Sequence, residues 1–567
     1  MRKLPTGISN YEELMKDNCI YVDKTMYIEK LENLSDKRIM FLRPRKFGKT
    51  LFTSTLENYY DISKTDNFKD LFRNTYIGKN PTSNKNSYHV LRFNFSGIDT
   101  QTTEATMHGF RREVASSIQV FTQKYNIDFC INEKDLAEDI LDNLFKAFYT
   151  QKFDKKIYVI IDEYDHFANE LIGFKTEEFK NIVSRNGKVR KWYEILKKGT
   201  ETVVERIFIT GVAPITLDST TSGFNIARDL TKEINFNDML GFSKEDVKYL
   251  MDELEIDEER QKELMPIIKE NYDGYVFSDM IEENLEKYKI YNSNMTLYFL
   301  NRYIEQNRVP KQLIDTNIIS DYRKIEGFMD LCKSKGKIEI LEKIVSDEYI
   351  ESELIEKFNA EIHFEEKELI SLLYYLGYLT IKRYELDTLE FGSPNEVIKK
   401  IYTDYFLAYL KERAGIDDEL KTVDIKRQIL LEGNIEKVME TLQLYLTNLS
   451  NRDYTRFDEK YVKIIFYSIC KALGTMVVKS ELEVGGKYSD ILLIPREKIN
   501  ERYGVLIEFK YIKQEDYEKN NNLLKEKQEE AKNQLEKYRS TEEIRLIPNL
   551  RCYSVVAIKD RLEVQEV

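Results

Sequence analysis

The sequence contains no run of about 18 apolar residues, which argues against a membrane-spanning helix. Its start, Met1 to Gly7, lacks the apolar stretch of a signal peptide. Cysteine is sparse: Cys19, Cys130, Cys332, Cys470 and Cys552 are scattered, odd in number and never in CxxC spacing. That argues against a disulfide framework or a zinc site and predicts a reducing, cytoplasmic location. There is one tryptophan and no internal repeat. A basic surplus is missing too, since 86 Lys and Arg stand against 99 Asp and Glu, a net charge of −13. Phosphate backbones are held by basic surface, so contact with nucleic acid would have to rest on local clusters rather than on the overall balance.

What is present is material for packed cores. Of 567 residues, 42% are hydrophobic, and single cores stop growing near about 250–300 residues, so several domains are expected. The first 231 residues alternate short apolar strands with helical patterns, the mark of a parallel α/β sheet covered on both faces. The predicted strands are Ile39–Leu42, Val90–Phe95, Tyr158–Ile161 and Ile207–Thr210. Residues 232–412 read as mainly helical, with Ser243 and Asp246 in a capping arrangement and a hairpin pattern at Gly377–Ile381 that suggests a winged-helix module. From 425 to 567 the pattern is α+β, and the charged stretch Glu515–Lys532 reads as a solvated helix.

Two acidic signatures carry the chemistry. The first belongs with Arg43-Pro44-Arg45-Lys46-Phe47-Gly48-Lys49-Thr50, which lies between a strand and the helical Leu51–Tyr60. Gly-Lys-Thr at a helix start suits a nucleotide: backbone N–H groups of the loop, with Gly48, hold phosphate, Lys49 meets the β- and γ-phosphates, and the Thr50 hydroxyl binds Mg²⁺. Arg43 stands where the usual pattern has its first glycine. Asp162 ends a buried strand about a hundred residues later, where it can hold Mg²⁺ through water, and Glu163 can orient the attacking water. The competing reading makes Asp162, Glu163 and Asp165 solvated strand-end acids. Thr210 either senses the γ-phosphate or closes its strand. Arg43 and Arg45 either assist phosphate charge or pair with surface acids. Tyr21–Thr25 either touches adenine or caps a helix.

The second signature is Asp490 before Ile491–Ile494, followed by Val505–Ile512. Alternation puts Leu506, Glu508, Lys510 and Ile512 on one strand face. Burying Glu508 and Lys510 on an apolar strand is costly without a purpose. A hairpin through Arg496–Gly504 would bring Asp490 and Glu508 together as oxygen ligands for Mg²⁺. Lys510 would then position water or neutralise the transition state. The alternative is a salt bridge between Glu508 and Lys510. Upstream, Glu459 extends the helical stripe Val462, Ile465, Phe466, Ile469 and Leu473 toward the sheet, and Gly474 ends that helix. Gln534 lies on the stripe of Ala531, Leu535 and Tyr538. Glu459 and Gln534 are either site residues or a helix-end acid and a core-edge amide.

Together these motifs resemble the bacterial AAA-ATPase-like proteins that carry a C-terminal PD-(D/E)XK nuclease domain. The resemblance rests on Leu4–Ile8, Tyr21–Thr25, Arg43–Thr50, Ile161–Asp165, Thr210–Ile215, Ser222–Asn225, Tyr272–Tyr275 with Tyr291-Asn292, Gly377–Thr380 and Pro394–Val397. In the second half it rests on Asp490, Glu508, Lys510 and Glu459. It implies an α/β P-loop NTPase domain (1–231), a helical lid with a winged-helix region (232–412) and an α+β restriction-endonuclease-like domain (425–567). The expected cofactors are ATP and Mg²⁺. The expected substrate is DNA or RNA, with no membrane partner and with assembly into homo-oligomers. An ATPase that controls a metal-dependent nuclease is one expectation. A nucleotide-dependent switch or scaffold that binds nucleic acid or protein without cutting is the other.

Overall fold

The computed structural model describes residues 2–166, 188–215, 226–279, 281, 284–314, 325–331, 336–346, 349–358, 365–385, 388–416, 422–449, 458–474, 476–484, 487–495, 502–520 and 522–567. Ser222–Asn225 and the 496–501 part of the expected hairpin connection lie outside them. The chain forms two compact units, Met1–Lys337 with Tyr349–Val397, and Ile338–Glu348 with Ile398–Val567. Residues 232–337 and 349–397, which read as lid and wing, are grouped in the first unit. No helix among the described residues is long and apolar enough to cross a membrane.

The first unit is built on a five-stranded parallel sheet. Its strands are β1 (Arg38–Leu42), β2 (His89–Asn94), β3 (Ile157–Asp162), β4 (Val204–Gly211) and the short β5 (Arg228–Asp229), in the order β2-β3-β4-β1-β5. All four apolar strands of the sequence reading are present. Every residue of β3 is buried, as continuous apolar runs demand when helices cover both faces. Pairing β1 and β3 with β4 puts Leu42 beside Gly211 and Ile161 beside Ile209. The ends that carry the first acidic signature are thereby gathered at the carboxyl end of the sheet, on its central strands. The helix Lys49–Tyr60 starts directly after the β1 loop. A smaller sheet of β6 (Ile350–Ser352), β7 (Thr380–Glu385) and β8 (Thr388–Gly392) has its hairpin at Thr380–Gly392, so that of the expected Gly377–Ile381 only Thr380 and Ile381 belong to it, at the start of β7. Ser243 and Asp246 form the expected capping box.

Several distant motifs meet at the β1 loop. The Phe47 ring stands edge-on to Tyr275 and Phe277, with centroids 4.9 and 5.5 Å away. A side chain at Gly377 would meet Pro44 at 2.7 Å, and Gly377 also has a φ of +82°. Only glycine permits both the close approach and that backbone.

The second unit carries a mixed sheet in the order β13-β12-β11-β10-β9. The strands are β9 (Met476–Val484), β10 (Lys487–Pro495), β11 (Gly504–Ile512), β12 (Leu550–Ile558) and β13 (Arg561–Glu566). β10 and β11 run antiparallel, with Ile491 opposite Ile507. β11 and β12 run parallel and are joined through the helix Leu523–Arg539. Leu506 packs with Leu535 and Tyr538 of that helix. Phe509, on the alternate face, meets Phe466 of the helix Glu459–Leu473 at 5.2 Å. The two helices thus cover opposite faces of β11. Gly474 caps the second of them in the left-handed region, as expected. One expectation is corrected here. The charged stretch Glu515–Lys532 does not make a single helix: Gln514–Lys519 ends at Asn520, which is extended, and a separate helix begins at Leu523.

Candidate functional sites

In the first unit a cleft of about 450 Å³ is lined by Arg45, Gly48, Lys49, Thr50, Glu163 and His166, together with Tyr21, Val22 and Lys24. That volume lies in the range of small-molecule sites. Gly48 has a φ of +90° and turns the loop into the helix. The Lys49 ammonium donates to the carbonyls of Arg43 and Pro44 at 3.0 and 2.9 Å. Burial lowers its pKa, against the opposing pull of Glu163, Asp165 and Asp162.

Asp162 and Thr210 lie behind the cleft, not in its lining. Both are buried, and Asp162 Oδ1 and Thr210 Oγ1 have no hydrogen-bond partner. A buried unpartnered oxygen is costly, so a cation or a polar ligand group fits this position. Burial raises the pKa of Asp162, while the Arg92 guanidinium, 3.3 Å from its other oxygen, pulls the other way. Glu163 sits in the left-handed region at φ 52°, an uncommon backbone for a non-glycine residue that is often found at functional sites. Burial alone would raise its pKa. The His166 hydrogen bond and the nearby cations of Lys49 and Arg45 overcome this and hold it at about 2.

The structure decides among the alternatives left by the sequence. Asp162 and Asp165 are not solvated strand-end acids, because they are 0% and 1% exposed. Asp165 accepts hydrogen bonds from the backbone N–H groups of Val212 and Ala213. The Tyr164 hydroxyl donates to the Ala213 carbonyl at 2.7 Å and accepts from the Ile215 N–H at 3.0 Å. Tyr164 and Asp165 therefore staple the end of β3 to the loop after β4. Arg43 neither faces phosphate nor pairs with a surface acid. It is 1% exposed and donates to the carbonyls of Leu42, Thr231, Phe236 and Asn237. Its guanidinium lies between the rings of Phe41 and Phe277, 4.2 Å from each. Burial lowers its pKa to about 9. Of Tyr21–Thr25, Tyr21, Val22 and Lys24 line the cleft, whereas Thr25 precedes the helix Met26–Glu32 without a side-chain capping bond, its hydroxyl donating to Asp23 instead.

In the second unit Asp490, Glu508 and Lys510 are all buried. Asp490 Oδ2 accepts from the Phe509 N–H at 2.6 Å. Lys510 donates to Glu508 Oε1 at 3.0 Å, while Glu508 Oε2 has no partner. The salt bridge offered as an alternative is therefore present, but it satisfies only half of the carboxylate. Burial, reinforced by the charge of Asp490, raises Glu508 to about 7. A cavity of about 310 Å³ is lined by Glu459, Lys460, Lys463, Tyr467 and Asp490, which brings Glu459 and Asp490 together. Gln534 lies on the sheet-facing side of its helix, and its Oε1 is buried without a partner. The unpartnered Glu508 oxygen beside a second carboxylate suits a hard cation. Among the described residues, however, no three His, Cys, Asp or Glu side chains form a metal-holding group.

Three residues escaped the sequence reading. Arg92 lies two positions before the end of β2. His166 lies one turn after Glu163. Lys463 lies one turn after Glu459, to which it donates at 2.8 Å. The i,i+3 and i,i+4 spacings were visible for the last two; nothing local marks Arg92.

Residues 5–221 match the family model described as Predicted AAA-ATPase, and residues 457–566 match the PD-(D/E)XK nuclease superfamily. The chain is similar to an uncharacterised protein in the vnfD 5′ region of Azotobacter chroococcum mcd 1, at 26% identity over 251 residues. That match spans 43% of this chain and 44% of the relative, less than half of its length. A crystal structure of Cdc6p from Pyrobaculum aerophilum aligns with 70% of this chain and 94% of its own at 12% identity, with a TM-score of 0.22, too slight a likeness to bear on fold or function. The chain thus joins an AAA-ATPase-like region to a C-terminal region of the PD-(D/E)XK nuclease superfamily.

Proposed function

We propose that the chain binds and hydrolyses ATP in its first unit, and that nucleotide state controls a Mg²⁺-dependent nuclease in its second. The assigned domains are an NTPase domain (1–231), a helical lid with a winged-helix region (232–412) and a nuclease domain (425–567). The observation that carries the reading is the buried Asp490–Glu508–Lys510 group with one carboxylate oxygen unpartnered, in the region that matches a nuclease superfamily. In the first unit Gly48, Lys49 and Arg45 would hold phosphate oxygens, and Thr50 and Asp162 would hold Mg²⁺. Glu163 stays ionised and accepts a hydrogen bond from the attacking water, orienting it rather than removing its proton early. Thr210 offers its unpartnered hydroxyl to the terminal phosphate. In the second unit Asp490 and Glu508 would hold the metal, which when bound acidifies a water and offsets phosphate charge. Glu459 orients groups in the cavity it shares with Asp490. Lys510 keeps Glu508 in place and sets a positive charge beside the reacting phosphate.

The substrate is a DNA or RNA phosphodiester, the setting cytoplasmic, and the assembly a homo-oligomer. The test incubates the protein with Mg²⁺ or Mn²⁺ and single- and double-stranded DNA and RNA, with and without ATP, beside Asp490→Asn. Cleavage lost in that variant supports the nuclease, and its dependence on ATP supports the coupling. The lack of a three-residue metal group among the described residues favours a second reading, a nucleotide-dependent switch or scaffold that binds nucleic acid or protein without cutting. ATP binding with no cleavage of any substrate would favour it over the first.

A further inference from the structure

Lys463 is a charged group in contact with the second site that neither the motif nor its match to the nuclease superfamily accounts for. Its Nζ lies 2.6 Å from Asp490 Oδ1 and 2.8 Å from Glu459 Oε1. Its side chain is 24% exposed and that of Asp490 10%. Each oxygen of Asp490 already has a partner, Oδ2 the Phe509 N–H and Oδ1 the Lys463 ammonium. Lys510 takes one oxygen of Glu508, and the other is buried without a partner. Asp490, Glu459 and Glu508 are thus held by the ammonium groups of Lys463 and Lys510.

A hard divalent cation draws its ligands from carboxylate oxygens. To use both Asp490 and Glu508 it has to compete with the Lys463 ammonium already seated on Asp490 Oδ1. We infer that Lys463 is a surrogate cation: it holds Asp490 and Glu459 together in the metal-free site, and it yields Asp490 Oδ1 when a divalent ion binds. This rests on the metal-dependent reading above. Two consequences follow. Lys463 lowers the affinity of the site for divalent ions, because a positive charge within contact distance of a ligand opposes a second one. It also stabilises the metal-free fold, because without it the buried Asp490 loses its cation and faces the partly exposed Glu459 unscreened. Lys463 is a positioning residue, and its long stem allows the ammonium to swing into the adjoining cavity.

The test is calorimetric titration of the full-length chain with Mn²⁺, without nucleotide, comparing the parent, Lys463→Met and Asp490→Asn. The Asp490→Asn variant identifies the heat that belongs to this site. The expected result is binding in the parent, none at this site in Asp490→Asn, and binding roughly ten-fold or more tighter in Lys463→Met. If Lys463→Met folds poorly, Lys463→Gln replaces it, and melting is measured with and without Mn²⁺. The variant should melt lower than the parent without the ion and gain more from it. Equal or weaker Mn²⁺ affinity in Lys463→Met, or an equal gain in melting temperature, overturns the inference and leaves the nuclease reading standing. Failure of the parent to bind Mn²⁺ at this site overturns both.

Discussion

Replacing Arg43 by glycine would restore the usual first glycine of the phosphate loop. By sequence pattern alone it should be harmless or improve nucleotide binding. The structure predicts the opposite. The Arg43 guanidinium serves the carbonyls of Leu42, Thr231 and Asn237 at 2.9, 2.8 and 3.1 Å, and that of Phe236 at 3.4 Å. A buried acceptor stripped of its donor costs about 1–3 kcal/mol. Counting only the three close contacts at the low end gives about 3 kcal/mol. Loss of the packing between Phe41 and Phe277 adds about 0.5–1 kcal/mol, and a new glycine about as much again. The sum, about 4–5 kcal/mol, is a large share of the roughly 5–15 kcal/mol that holds a domain. The chain carries its own probe. Its single tryptophan, Trp192, belongs to the first unit and is fully buried against Phe93 and Phe110. Urea unfolding followed by Trp192 fluorescence should show the midpoint falling by roughly 1.3–2.5 M, taking a slope of about 2–3 kcal/mol per M. ATP affinity should fall with it. An unchanged midpoint with equal or better ATP binding would refute the structural role assigned to Arg43.

Other substitutions separate the remaining roles. Lys49→Ala should abolish ATP binding in a titration and, by stripping the Arg43 and Pro44 carbonyls of their donor, lower the Trp192 unfolding midpoint by less than Arg43→Gly does; retained binding would remove Lys49 from the site. Glu163→Gln should keep ATP binding and slow hydrolysis roughly 100-fold or more. Because Glu163 is held at about 2, parent turnover should show no step from this group between pH 5 and 8, and such a step, lost in the variant, would contradict its being ionised throughout. At Glu508 the sign is reversed. Its folded pKa of about 7 exceeds the ordinary 4.5, so the folded state binds the extra proton between those values, and stability falls as pH rises through that window. Melting from pH 5 to 8 should lose that slope in Glu508→Gln, and an unchanged slope would place the titration elsewhere. A methyl group at Gly211 would stand 2.2 Å from Asp165 Oδ1 and 2.5 Å from the Tyr164 ring. Gly211→Ala should therefore cost about 1–3 kcal/mol and lower ATPase activity, as read by urea midpoint and phosphate release.

The sequence alone determined the features that are written locally. Four apolar runs of strand length were found as strands because a parallel sheet buries both faces of each. The glycine, lysine and threonine at 48–50 were placed by a strand, loop and helix that follow one another in the chain. Glu508 and Lys510 share a face because strand side chains alternate, and Glu459 and Gly474 followed from the helical period. Tertiary structure decided what depends on reach between distant segments. Arg43 stood between a phosphate contact and a surface ion pair until the chain around residues 231–237 and Phe277 closed over it and excluded both. Asp165 looked like a solvated acid until the loop after β4 presented its N–H groups. Arg92 and Lys463 carry no pattern of their own, since an arginine in a strand or a lysine on a helix usually reaches solvent. They matter because folding brings their charges to Asp162 and Asp490. Periodicity reports which face a residue occupies. The partner that waits there is chosen by segments tens to hundreds of residues away, and in a buried site that partner sets both charge and chemistry.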